Sequence, residues 1–162
     1  MEIRNSTLAD VPRMMEIYAR AREFMKETGN PRQWYMRSWP PESLILKDIE
    51  AGKSYVCTDG EKIVGTFFYT SGTSPEPTYR EIDGEWIGSD DYGVVHRIAS
   101  DGTKGVGTFC INWAYDQCGH LRIDTHPDNR VMQSLLAKLG FTRCGLIKIV
   151  EDSDPRIAYE KL

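Results

Sequence analysis

Residues 92–107 read Tyr-Gly-Val-Val-His-Arg-Ile-Ala-Ser-Asp-Gly-Thr-Lys-Gly-Val-Gly, and their reading decides the fold. Tyr92 to Ala99 has the β-branched and aromatic composition of a strand. Ser100 to Gly107 is a glycine-containing turn that runs directly into a helix. That helix is marked by Val106, Phe109, Cys110, Trp113, Ala114 and Gln117 at close to ideal spacing, and Cys118-Gly119 ends it. Glycine lets the backbone approach a ligand closely and adopt positive φ. A helix start offers unpaired N–H groups and the positive end of a dipole. Together they suit a phosphate or pyrophosphate, and Lys104 adds a charge. The glycines alone fit a plain turn equally well. Two familiar phosphate loops are excluded on spacing. There is no GxxxxGK[ST], and Gly102, Gly105 and Gly107 do not make GxGxxG. The turn also follows roughly the fourth strand, whereas a dinucleotide fold places its own after the first.

Upstream, Glu2 to Asn5 reads as a short strand, and Thr7 with Asp10 opens a helix. Leu8, Val11, Met15, Tyr18 and Met25 mark one helical face, and Gly29-Asn30-Pro31 stops it. A second helix runs near Glu42 to Ala51. Ser54 to Thr58 and Lys62 to Tyr69 form a hairpin through Asp59-Gly60. Downstream come a strand at His120 to Thr125 and a helix from Pro127-Asp128-Asn129 with Met132, Leu135, Leu136 and Leu139 on one face. Strands near Thr142 to Val150 and Arg156 to Lys161 follow. The expected order is β-α-α-β-β-β-α-β-α-β-β, an α/β (α+β) mixed sheet covered on both sides. With no repeat or linker, residues 1–162 are expected to form one domain.

Composition excludes several classes. At 162 residues, 40% hydrophobic and 27% charged, the chain is an ordinary globular protein. No stretch approaches the roughly 18 consecutive apolar residues of a membrane span. The opening Met1-Glu2-Ile3-Arg4 lacks the pattern of a signal peptide, so the cytoplasm is the expected location. A net charge of −4 argues against nucleic acid as a partner. The cysteines at 57, 110, 118 and 144 form no metal-like pattern with the three histidines, so no metal is expected and free thiols are. Between Pro75 and Asp91, six acidic residues face one base, Arg80. This segment is either a solvated loop or a rim that attracts a cationic substrate.

The glycine turn and its surroundings resemble the GCN5-related N-acetyltransferases (GNAT). Lys104-Gly105-Val106-Gly107 is similar to the core of the family's [Gln/Arg]-x-x-Gly-x-[Gly/Ala] turn. Leu121 to Asn129 is similar to its next strand and the Asn opening the following helix. Lys138-Leu139-Gly140-Phe141 is similar to that helix's usual ending. The resemblance implies a mostly antiparallel sheet, acetyl-CoA as acyl donor and a primary amine, on a small molecule or peptide, as acceptor; homodimers occur among relatives. It implies backbone hydrogen bonds from Arg97, Ile98 and Ala99 to the pantetheine arm. It places the pyrophosphate on Gly102, Thr103, Lys104, Gly105, Val106, Gly107 and Thr108, with Asn129 bridging to the cofactor. Two positions depart from the pattern. Gly102 stands where the family has Gln or Arg, and Leu136 stands where many members carry the tyrosine that protonates the leaving thiolate.

Amine acylation needs a neutral amine, because an alkylammonium of pKa about 10 is mostly protonated at pH 7. Candidates to accept its proton are Asp124, His96 and Glu81. Trp34 and Tyr35, with Trp39, lie where this family builds one wall of the acceptor site, and Asp83 is a further candidate contact to the amine. Each also has a structural reading: capping or ion pairing for Asp124, a hydrogen-bonded histidine for His96, core packing for the aromatics, solvation for Glu81 and Asp83. His126 is expected to serve helix entry, and helix capping is equally open for Asn129. Two other functions remain open: a CoA-binding regulatory domain without turnover, and an α/β interaction domain with no CoA site.

Overall fold

The computed structural model describes residues 1–150 and 152–162. The chain runs β1 (Glu2–Asn5), α1 (Val11–Glu27), α2 (Glu42–Glu50), β2 (Ser54–Asp59), β3 (Lys62–Gly72), β4 (Ile82–Gly84), β5 (Tyr92–Ser100), α3 (Val106–Asp116), β6 (Leu121–Thr125), α4 (Arg130–Lys138), β7 (Thr142–Lys148) and β8 (Pro155–Lys161). The expected order holds except at β4, a short strand inside the acidic segment that pairs antiparallel with β7 through Ile82–Ile147. Three residues rich in acid and glycine carry no strand signal of their own; the exposed edge of β7 recruits them.

One sheet of eight strands forms, in the order β1-β2-β3-β5-β6-β8-β7-β4. Every pairing is antiparallel except that of β5 with β6. Val56 and Cys57 point to opposite faces of β2, as the alternation of a strand requires. Val56 packs with Met14, Ile17 and Tyr18 of α1 and Ile45 of α2. Cys57 packs with Cys110, Ile111 and Ala114 of α3 and Leu136 of α4. A third cluster beneath the 73–91 connection gathers Tyr79, Tyr92, Val94, Ile147 and Ala158. The face of α1 is turned from the expected stripe. Met14, Ile17 and Ala21 join Val11 and Tyr18 inside, while Leu8 is 69% exposed in a short 3-10 turn that precedes the helix. Among the described residues no helix is long and apolar enough to cross a membrane.

The parallel pair is brief. Only Gly93–Leu121 and Val94–Arg122 match between β5 and β6, and beyond them the strands part. Beyond that point β5 is itself irregular. Its ladder with β3 shifts register between Thr66–Ala99 and Phe68–His96, a bulge in which Arg97 takes a left-handed φ of 51°. Such a conformation costs a non-glycine residue about 1–2 kcal/mol. The helices hold it. The Tyr18 hydroxyl donates to the Arg97 carbonyl at 2.9 Å, and the Arg97 guanidinium binds Asp48 of α2 at 2.8 and 3.0 Å.

Candidate active site

The parting of β5 and β6 opens a cleft of about 160 Å³. Val95 to Ile98 of β5 and Ile123 to Thr125 of β6 form its walls, and the α1–α2 connection and the start of α4 also line it. From Val95 onward β5 has no partner strand on its β6 side, so its inner edge is available to a ligand in extended conformation. The Thr125 hydroxyl lies in this wall, buried, with no hydrogen-bond partner among the described residues. An orphaned buried hydroxyl is rare and points to a group that completes it.

His96, Asp124 and Glu76 meet in the cleft. His96 Nε2 lies 2.9 Å from Glu76 Oε2, and its Nδ1 lies 3.9 Å from Asp124 Oδ2. The Tyr79 hydroxyl donates to the same Asp124 oxygen at 2.6 Å. Glu76 also accepts from the backbone N–H and hydroxyl of Thr78, capping a short 3-10 turn. Burial pushes the Glu76 carboxyl up, but His96 and Thr78 together outweigh it and bring it down to about 2. Burial, then the Asp124 charge, pushes the Tyr79 phenol well up, so it stays a donor to Asp124. The imidazole is thus held between two carboxylates, and its ring is stacked on Phe68.

Glu81 and Asp83, candidates to face the amine, do not line the cleft; both are exposed, as their solvated reading has it, with Asp83 in β4. Glu76, from the same acidic segment, is the carboxylate that enters. Nothing local distinguishes it, because the folding of 73–91 over the sheet decides which acid turns inward. Trp34 lines the cleft, packed edge-on against Tyr18 at 5.8 Å, so the wall and core readings both hold for it. Tyr35 turns away, its hydroxyl accepting from Lys26 at 3.1 Å, and Trp39 takes the place expected of it. Arg97 contributes backbone alone, its side chain being committed to Asp48.

Asn129 caps α4, its Oδ1 accepting from Met132 N at 3.0 Å, while its Nδ2 donates to Gln33 at 3.0 Å. Capping therefore accounts for the acceptor end of its amide. His126 serves helix entry as expected. Its Nδ1 accepts from Asp128 N and its Nε2 meets Asp154 at 2.8 Å. Leu136 is wholly buried among the residues under α3.

The glycine turn has the backbone its spacing implies. Gly102 and Gly105 take φ of 93° and 83°, and Gly105 precedes α3 with no side chain capping the helix. Val106 is buried, which anchors the turn beside exposed Lys104, and the first N–H groups of a helix have no partner within it. The Thr103 hydroxyl is spent on Asp101 at 2.6 Å. Gly107 faces Leu135, whose Cδ2 would lie 3.2 Å from an added Cβ. An uncapped helix start, a cation and an open strand edge fit an extended ligand that ends in a pyrophosphate. Among the described residues no group of His, Cys, Asp and Glu could hold a metal ion.

No family model and no curated protein matches the sequence. Solved structures do. An acetyltransferase of the GNAT family from Streptococcus agalactiae is 25% identical, over 99% of this chain and 94% of that one, with a TM-score of 0.87. A GNAT acetyltransferase from Listeria monocytogenes is 16% identical over 99% and 93%, with a TM-score of 0.73. The ribosomal-protein-S18-alanine N-acetyltransferase of Escherichia coli is 13% identical over 99% and 92%, at 0.65. Nearly the whole of this chain thus has the fold of the GNAT acetyltransferases.

Proposed function

We infer that the protein is an N-acetyltransferase of the cytoplasm that moves an acetyl group from acetyl-CoA to the primary amine of a small molecule or peptide. The observation that carries the reading is the cleft itself, where an unpaired strand edge and a carboxylate-flanked histidine share one space. In this reading the β5 edge at Arg97, Ile98 and Ala99 holds the pantetheine arm, and the turn from Gly102 to Thr108 holds the pyrophosphate. When bound, acetyl-CoA supplies an acetyl group already activated as a thioester. The residues of the chain bind, orient and move protons. His96 takes a proton from the incoming ammonium, and Asp124 stabilises the imidazolium that results. Glu76 fixes the ring from its other side. A backbone N–H near Ile98 meets the carbonyl oxygen as charge develops on it. The new C–N bond replaces the C–S bond, and the departing thiolate takes up a proton.

A CoA-binding domain without turnover is the second reading, favoured by buried Leu136 where many relatives carry a tyrosine. Titration with acetyl-CoA and CoA in a thermal-shift assay, followed by free-thiol release across a panel of amines, separates the two. Binding at a hundredfold excess over Kd adds about 2.7 kcal/mol of apparent stability. Binding with amine-dependent thiol release supports the enzyme, and binding without it supports the second reading. No shift at millimolar ligand removes both. In an active enzyme, His96→Gln lowers kcat about 10²–10⁴-fold with CoA affinity unchanged; an unaltered kcat excludes His96 as the base.

A further inference from the structure

The acceptor end of the cleft is not uniformly acidic. Across the β6–β8 ladder Asp124 is paired with Ala158, so Arg156, two residues along β8, stands on the same face as a diagonal neighbour about 7–8 Å away. Arg156 is 2% exposed and binds Asp152, its Nη2 lying 2.7 Å from Oδ2. Asp152 also receives Arg37 Nη1 at 2.9 Å, so two guanidinium groups share one carboxylate. Arg156 is largely satisfied, because its Nη1 also reaches the Asp154 carbonyl at 3.1 Å. Arg37 is not. Its Nη1 donates to Asp152 and the Gln33 carbonyl, and among the described residues its Nε and Nη2 have no acceptor. The guanidinium carbon lies 4.6 Å from the centroid of the Trp39 ring, a cation–π contact that holds the group at the cleft wall.

One side of the cleft therefore suits an ammonium and the other offers an oriented guanidinium with spare donors. A polyamine would bring a second cation against Arg37. We propose that the acceptor is a small primary amine that also carries a carboxylate, an α-amino acid in the simplest case, with its amine at His96 and Asp124 and its carboxylate on Arg37. The proposal rests on the acyltransferase reading and narrows it. It also replaces the expectation, drawn from the acidic segment, of a purely cationic acceptor, since Glu81 and Asp83 lie outside the cleft. Planar guanidinium donors recognise a carboxylate in two-point geometry, so the site discriminates by hydrogen bonding as well as by charge.

The test uses matched pairs: leucine against 3-methylbutylamine, and phenylalanine against 2-phenylethylamine. Thiol release from acetyl-CoA is measured for the wild type and for Arg37→Ala and Arg37→Lys. The expected result is a kcat/KM at least tenfold higher for the amino acids, lost in Arg37→Ala and partly kept in Arg37→Lys, with CoA affinity equal in all three. Equal or better turnover of the decarboxylated amines overturns the proposal, as does a preference that survives Arg37→Ala. Acylation of neither class by a protein that binds acetyl-CoA also overturns it. Failure of acetyl-CoA to bind the wild type would instead overturn the acyltransferase reading beneath it.

Discussion

Replacing Glu76 with glutamine removes the negative charge beside His96 while keeping an oxygen to accept from Thr78. The Glu76 carboxyl sits at about 2 in the folded protein against an ordinary 4.5. Burial opposes that drop; the hydrogen bond and charge of His96, with Thr78, produce it. A carboxyl held low in the fold stabilises the protein fully above its unfolded value, and that contribution is lost as the pH falls toward the folded value. The window here runs from about 4.5 down to about 2. At about 1.4 kcal/mol for each tenfold change in proton affinity, the contribution has an upper bound of about 3.5 kcal/mol. The side chains of His96 and Glu76 are 21% and 22% exposed, so solvent screening trims it. A loss of about 1–3 kcal/mol at pH 7 remains, or about 2–12 °C in Tm for a domain of this size. Urea denaturation of wild type and Glu76→Gln at pH 7, 5, 4 and 3 measures it. The two proteins should differ most at pH 7 and converge toward pH 3. A deficit of the same size at pH 3 as at pH 7, or none at pH 7, would refute the charge-based account of this pair.

Tyr79→Phe leaves Asp124 without its 2.6 Å donor and should destabilise the fold by about 1.5–3 kcal/mol; a loss under 0.5 kcal/mol in denaturant titration would mean the hydrogen bond contributes little. Leu136→Tyr, which restores the residue many relatives carry, should destabilise by about 1–3 kcal/mol without raising kcat, because the site is fully enclosed. A stable, faster Leu136→Tyr enzyme would show that the α4 face is open to the cleft. Gly105→Val forces a β-branched residue to φ of 83° at the first turn of α3. It should weaken CoA binding at least tenfold in a protein that still unfolds cooperatively, and unchanged affinity would remove the turn from the cofactor site.

Much of this protein was legible locally. The strand, turn and helix of residues 92–116 follow from β-propensity, glycine and a 3.6-residue period, all of which act between near neighbours. His96 and Asp124 were legible as candidates because each lies in a strand with a clear pattern, and Gly105 because a left-handed residue before a helix calls for glycine. The bulge at Arg97 carries no such mark; arginine has no preference for it, and Tyr18 and Asp48, 79 and 49 residues distant, hydrogen-bond it in place. The same bulge lies in the cleft wall, so the space in which the chemistry is proposed depends on contacts between elements.

The acidic segment makes the division plain. Its charge was visible in the sequence, which offered Glu81 and Asp83 as possible contacts to the amine beside their plain reading as solvated acids. Which acid turns inward depends on where the segment lands on the sheet. Tyr79, which anchors that landing beneath Trp86 and Tyr92, was not singled out at all. Arg37 and Arg156, 119 positions apart, meet only through Asp152. By itself the sequence determined the elements, their order and the glycine turn, since those rest on short-range preferences of the backbone. The tertiary structure alone decided which side chains face one another across the cleft, because long-range packing selects those pairs and leaves no periodic trace along the chain.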